Sequence, residues 1–116
     1  MEELIYKMEA DLLKSLGHPT RIRILEFLHD KEMCACEIHP ALDLEQSNVS
    51  QHLAVLRERG ILETRREGTM IIYRVRDPKV FELLELLQDI ILSQLGETKN
   101  IVEHLKKKKD RTRKEG

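Results

Sequence analysis

Gln46-Ser47-Asn48-Val49-Ser50-Gln51-His52-Leu53-Ala54-Val55-Leu56-Arg57-Glu58-Arg59-Gly60 is the stretch on which the fold turns. At about 100° per residue, Val49, Leu53 and Leu56 fall on one side of a helix, while Ser47, Asn48, Ser50, Gln51 and Ala54 fall on the other. One face packs, and the opposite one is small, polar and almost uncharged. Gly60 is a good stop for such a helix. Before it, Asp43 and Leu44 form a turn, and a short helix is expected from about Cys36 to Leu42. Two short helices joined by a tight turn, the second presenting Ser, Asn and Gln, are the parts of a helix-turn-helix reader of DNA.

Working outward, Leu4, Ile5, Met8, Leu12, Leu13 and Leu16 recur at helical spacing, and Gly17 ends that first helix. His18-Pro19-Thr20 opens a second helix running to about His29, with proline near the first helical position. After Gly60 the period changes to two. Ile61 to Arg66 and Met70 to Val75 are short strands flanking the hairpin signal Glu67-Gly68. Asp77-Pro78 starts a fifth helix that reaches about Leu105, with a break at Gly96. Of the 16 residues from Val80 to Leu95, ten are apolar. That exceeds one buried stripe, so the last helix wants a second partner surface, and the amphipathic first helix is its complement in a homodimer.

The fold expected is mainly α with a small β-hairpin wing, a winged helix-turn-helix dimerising through its first and last helices. Residues 1–105 form the DNA-binding and dimerisation domain, and residues 106–116 a basic, disordered tail. With 116 residues, there is no room for a second domain. Aromatic side chains number four, two Phe and two Tyr, so the core must be aliphatic. No N-terminal basic stretch leads into an apolar segment, and Glu82, Glu85, Gln88 and Asp89 interrupt the most apolar region. The expectation is a cytoplasmic protein with no membrane partner.

A net charge of −1 conceals a segregation. From Arg57 to Arg76 there are six Arg and three Glu, and from Lys106 to Gly116 seven Lys or Arg and two acids, so residues 1–56 and 77–105 together carry −9. Charge zoned in this way suits a face for a polyanion on an otherwise acidic body. Asn and Gln can pair with adenine edges, and Ser lets a helix approach the groove. The DNA-contacting residues expected are therefore Ser47, Asn48, Ser50, Gln51 and His52 on the reading helix, with Arg57, Arg65, Arg66 and Arg74 for phosphates. His52, at the edge of the packed face, contacts phosphate or orients a neighbour.

Five motifs stand in order: His18-Pro19-Thr20-Arg21-Ile22-Arg23-Ile24-Leu25, Glu32-Met33-Cys34-Ala35-Cys36-Glu37-Ile38, Gln46-Ser47-Asn48-Val49-Ser50-Gln51-His52-Leu53, Arg65-Arg66-Glu67-Gly68 and Tyr73-Arg74. Together they resemble the ArsR/SmtB family of winged-helix transcriptional repressors over roughly residues 10 to 76. The resemblance implies a homodimer that binds an inverted-repeat operator in double-stranded DNA and releases it on binding an inducer. It also sets Cys34 and Cys36 where metal- and metalloid-sensing members carry thiolates. In the arsenic-sensing pattern a third Cys follows, where this chain has His39.

Cys36 and His39, three apart, share a helix face, whereas Cys34 and Cys36 would point about 200° apart in a regular helix. Closing both sulfurs on one soft ion therefore requires the start of the helix to unwind, and that distortion would release DNA. As(III), Sb(III), Cd(II) or Zn(II) is the expected inducer at Cys34, Cys36 and His39, and no cofactor is required for folding. Redox sensing by the same two cysteines stands second, and inert packing third. The rivals from other classes are a small thiol-disulfide oxidoreductase, which lacks the expected βαβ setting, and a structural metal-binding module. No catalytic constellation appears, so an enzyme is not expected.

Overall fold

The structure, a computed structural model, describes residues 1–96 and 99–115, with side chains given to residue 96 and again from 103 to 111. The chain divides into two compact units, Met1–Arg76 and Asp77–Gly116.

In the first unit the elements run α1 (Glu2–Leu16), α2 (Pro19–Phe27), β1 (Met33–Cys34), α3 (Ala35–Ala41), α4 (Gln46–Glu58), β2 (Leu62–Glu67) and β3 (Met70–Val75). His18 is the N-cap of α2, with extended backbone and its Nδ1 accepting from the Thr20 amide at 3.1 Å, while Pro19 follows where its missing N–H costs nothing. Between α3 and α4 the chain turns through Asp43, whose φ of 55° lies in the left-handed region that a short polar side chain tolerates. The turn is closed by the Leu44 amide donating to the His39 carbonyl at 2.9 Å and is tied to α2 by Arg23, whose Nη2 donates to the Leu42 carbonyl at 3.0 Å.

The core of this unit is aliphatic, as the scarcity of aromatics demands. Ile24, Leu25 and Leu28 around α2, Ile38 on α3, Val49, Leu53 and Leu56 on α4, and Leu62 on β2 are all buried. Each contributes about 1.5–3 kcal/mol relative to an exposed side chain. The expected packed face of α4 is therefore the observed one.

The sheet has three strands, in order β1-β3-β2, rather than the expected two. β2 and β3 form the antiparallel wing, from Leu62↔Val75 to Glu67↔Met70, around Gly68, whose φ of 64° a side chain would strain. β1 adds Met33↔Tyr73 and Cys34↔Ile72 on the other edge of β3. Two residues are too few to show a period of two, so this strand carried no signal in the sequence.

The second unit contains α5 (Lys79–Leu95) and α6 (Lys99–Glu115). The Asp77 carboxylate accepts from the Lys79 amide at 3.0 Å and opens α5, and Gly96, with a φ of 57°, follows its end at the break expected from the sequence. Residues from Lys106, expected as a disordered tail, instead lie in α6. Lys and Arg are good helix formers, and Lys109 folds back onto α5, pairing with Asp89 and, at 3.7 Å, with Glu85. Gly116 of that tail lies outside the described residues.

α1 and α5 both leave apolar side chains in the open. On α1, Leu4 (56 % exposed), Ile5, Met8, Leu12 and Leu13 face outward, and on α5 so do Leu86, Leu87, Ile90 (53 %) and Ile91. Among the described residues no helix is long and apolar enough to cross a membrane.

Candidate nucleic-acid interface

α4 divides as its sequence requires. Ser47, Ser50, Gln51 and Ala54 are exposed and Asn48 is half-buried, opposite the fully buried Val49, Leu53 and Leu56. The exposed side offers hydroxyl and amide donors and acceptors without net charge, the chemistry that reads base edges. Arg57, in the last turn, is also exposed.

His52 sits apart from that surface. It is half-buried, and its Nδ1 accepts from the Arg21 Nε at 3.2 Å. Its ring centroid lies 4.3 Å from that of His18, the cap of α2. Arg21 also donates through Nη1 to the Ser15 carbonyl at 3.0 Å, so one guanidinium spans the end of α1, α2 and α4. Burial, then the neighbouring His18, then Arg21 hold the His52 imidazole below its ordinary pKa. The sequence named His52 as a phosphate contact or an orienting group; in the structure its Nδ1 is occupied by the Arg21 guanidinium. Arg21 and Arg23, which fix α4 and its turn, were missed. Neither stands at a spacing that marks it, since their acceptors lie 31 and 19 residues away.

The wing carries its arginines on two faces. Residues opposite one another in register share a face, so Glu63, Arg65, Glu67, Ile72 and Arg74 lie on one, and Thr64, Arg66, Ile71 and Tyr73 on the other. On the first face Arg65 donates to Glu67 at 2.7 Å and to Glu32 at 3.3 Å, while Arg74 donates to Glu63 at 2.7 Å and to Glu32 at 3.4 Å. These hydrogen bonds, Glu67 first and Glu32 next, raise the Arg65 pKa further. Arg66 and Arg57 make no ion pair among the described residues. The four arginines expected to meet phosphate are thus of two kinds, two committed to carboxylates and two open.

Cys34 and Cys36 are joined by a disulfide. Cys34 is not inside α3: it is the N-cap, with φ −81° and ψ 163°, and Cys36 is the second helical residue. The divergence of about 200° applies only if both residues are helical, and the extended cap removes it. Cys34 is buried and Cys36 exposed. The cap is reciprocal, since the Cys34 sulfur accepts from the Glu37 amide and the Glu37 carboxylate accepts from the Cys34 amide at 3.2 Å. His39 lies half-buried in the last turn of α3. Among the described residues no three His, Cys, Asp or Glu side chains are grouped so as to hold a metal ion, so His39 is not gathered with the two sulfurs.

Residues 18–64 match the model of the bacterial regulatory protein arsR family. Rv0081 of Mycobacterium tuberculosis, an HTH-type transcriptional regulator, is 37 % identical over 105 residues, 90 % of this chain and 92 % of the relative. Its crystal structure superposes with a TM-score of 0.71 at 38 % identity, over 80 % of this chain and 94 % of that one. The biofilm growth-associated repressor of Agrobacterium fabrum is 43 % identical over 81 residues, 70 % of this chain and 69 % of the repressor. The homodimeric winged helix-turn-helix DNA-binding domain of Mb0332 from Mycobacterium bovis gives a TM-score of 0.73 at 27 % identity, over 85 % of this chain and 92 % of that one.

Proposed function

Since this chain belongs to the ArsR family of bacterial regulatory proteins and is a transcriptional regulator rather than an enzyme, we propose how it grips DNA and what makes it let go. α4 enters the major groove with Ser47, Asn48, Ser50 and Gln51 toward the bases. Arg57 and Arg66 meet phosphates, Arg65 and Arg74 do so once freed of their carboxylates, and His52 orients α4. The observation that carries this is the sharp split of α4 into a fully buried aliphatic side and an exposed, uncharged polar side.

Two copies bind an inverted repeat. The exposed apolar side chains of α1 and α5 support a second copy as their cover, and Mb0332, of the same fold, is described as homodimeric. On this account residues 1–105 supply DNA binding and dimerisation, and the basic stretch from Lys106 adds charge.

The release signal acts at Cys34 and Cys36. In the reduced protein each sulfur carries a proton. Oxidation forms the S–S bond and passes two electrons and the two thiol protons to an oxidant such as hydrogen peroxide, which leaves as two water molecules. The sulfur that caps α3 is then tethered to the first turn of the same helix. α3 leads through the Asp43 turn into α4, so a change at its start alters how α4 is presented.

A second use of the pair is favoured by the same convergence, because two sulfurs able to bond can also share one soft ion such as As(III), Sb(III), Cd(II) or Zn(II). His39 would then have to move, or a third donor come from outside the chain. Anisotropy of a labelled duplex from upstream of the protein's own gene, titrated with reduced protein and then with peroxide or As(III), tests both. Release by peroxide, reversed by dithiothreitol, supports the thiol switch, release by As(III) alone supports the ion, and no binding by the reduced protein contradicts the DNA assignment.

A further inference from the structure

On one face of the wing, two arginines stand among three carboxylates. Arg65 and Arg74 face Glu63, Glu67 and Glu32, an assembly with a net charge of −1 if all are ionised. Glu63 and Glu67 belong to the hairpin itself and each holds one arginine. Glu32 differs in both respects. It comes from the segment before β1, 42 residues from Arg74, and it divides its carboxylate, Oε2 to Arg65 at 3.3 Å and Oε1 to Arg74 at 3.4 Å. The register explains its reach: β1 pairs Met33 with Tyr73, and one step further along the antiparallel ladder brings Glu32 opposite Arg74.

We propose that Glu32 is an internal counter-ion that masks Arg65 and Arg74, so that DNA phosphate must displace it before this face of the wing can bind. The proposal rests on the DNA-binding role given above. An arginine already paired gains less from a phosphate than a free one, because one anion is exchanged for another. The pairs are exposed and individually weak, so the mask is displaceable and lowers affinity without abolishing it. It also confines the strong wing contact to the opposite face, where Arg66 is unpaired among the described residues, and so helps set how the wing approaches the backbone. Glu32 acts through the two arginines and is a positioning residue.

The test compares wild type, Glu32→Gln and Glu2→Gln, the last removing the same formal charge from α1, on cognate and unrelated duplexes across a range of salt. Glu32→Gln should bind both duplexes about three- to fivefold tighter at low salt, leave their ratio unchanged, and steepen the dependence of log K on log salt by about one phosphate equivalent. Glu2→Gln should show less of each. In an Arg65→Ala/Arg74→Ala background, Glu32→Gln should add nothing. Circular dichroism of each variant shows that folding is retained. If wild type binds and Glu32→Gln matches Glu2→Gln, or if its gain persists without the two arginines, the masking role is overturned while DNA binding stands. If wild type binds no duplex, both fall.

Discussion

The Nε of Arg21 on α2 donates to Nδ1 of His52 on α4 across 3.2 Å, so the helix with the polar face is tied to its neighbour through an acceptor that disappears when that nitrogen is protonated. Burial, His18 and Arg21 hold the His52 pKa below its ordinary 6.5. The unfolded chain therefore takes up this proton more readily than the folded one. The stability it contributes is full above the unfolded value and is lost as pH falls through the folded value.

Thermal stability should accordingly decline as pH is lowered from about 7.5 to about 5, and His52→Gln, whose amide oxygen can still accept from Arg21, should decline less. Melting curves across that range check it. Equal slopes for the two proteins would show that His52 is not the group responsible.

Leu53 is fully buried beneath the polar face of α4. Leu53→Ala should cost about 2–5 kcal/mol in urea unfolding, through lost burial and the cavity left behind. A cost near that of a surface change would mean that α4 is not seated as described.

Much of the fold was legible because local signals and hydrophobic period agreed. Gly17, Pro19, Gly60 and the Glu67-Gly68 turn marked boundaries that the structure keeps to within a few residues, and the packed face of α4 followed from Val49, Leu53 and Leu56 alone. What escaped notice depended on partners distant in sequence or on a single backbone conformation. β1 is two residues long and exists only through β3. The helical state of the Lys-rich stretch has no apolar period to announce it, and Lys109 gains its carboxylates from α5. The meeting of Cys34 and Cys36 hangs on one extended cap residue, which spacing cannot report. The pairing of Arg65 with Glu67 and of Arg74 with Glu63 follows from the hairpin register, whereas their shared partner Glu32, 33 and 42 residues away, has no local signal.

Base and phosphate contacts should separate by mutation. Gln51→Ala should lose about 1–3 kcal/mol at the cognate site and relax preference there. Arg66→Ala should instead weaken all sequences alike and flatten the salt dependence by about one phosphate contact. Competition titrations with cognate and scrambled duplexes distinguish them. Unchanged discrimination in Gln51→Ala would remove this residue from the reading face.

Charge on the open face of α5 should break the assembly. Leu87→Glu with Ile91→Glu places two carboxylates among side chains that are apolar and exposed in a single copy. Sedimentation should give a dimer for wild type and a monomer or aggregates for the variant, with DNA binding lost. A wild type that sediments as a stable monomer at micromolar concentration would contradict the dimer.

The most direct measurement is the anisotropy of an inverted-repeat duplex bound by reduced protein, followed through addition of peroxide and then dithiothreitol, for wild type and for Cys34→Ser/Cys36→Ser. Serine retains the size of the side chains and removes the sulfur chemistry. Both proteins should bind, wild type should be released by oxidant and rebind on reduction, and the double variant should stay bound throughout. Release of the double variant by the same oxidant would show that Cys34 and Cys36 are not the switch.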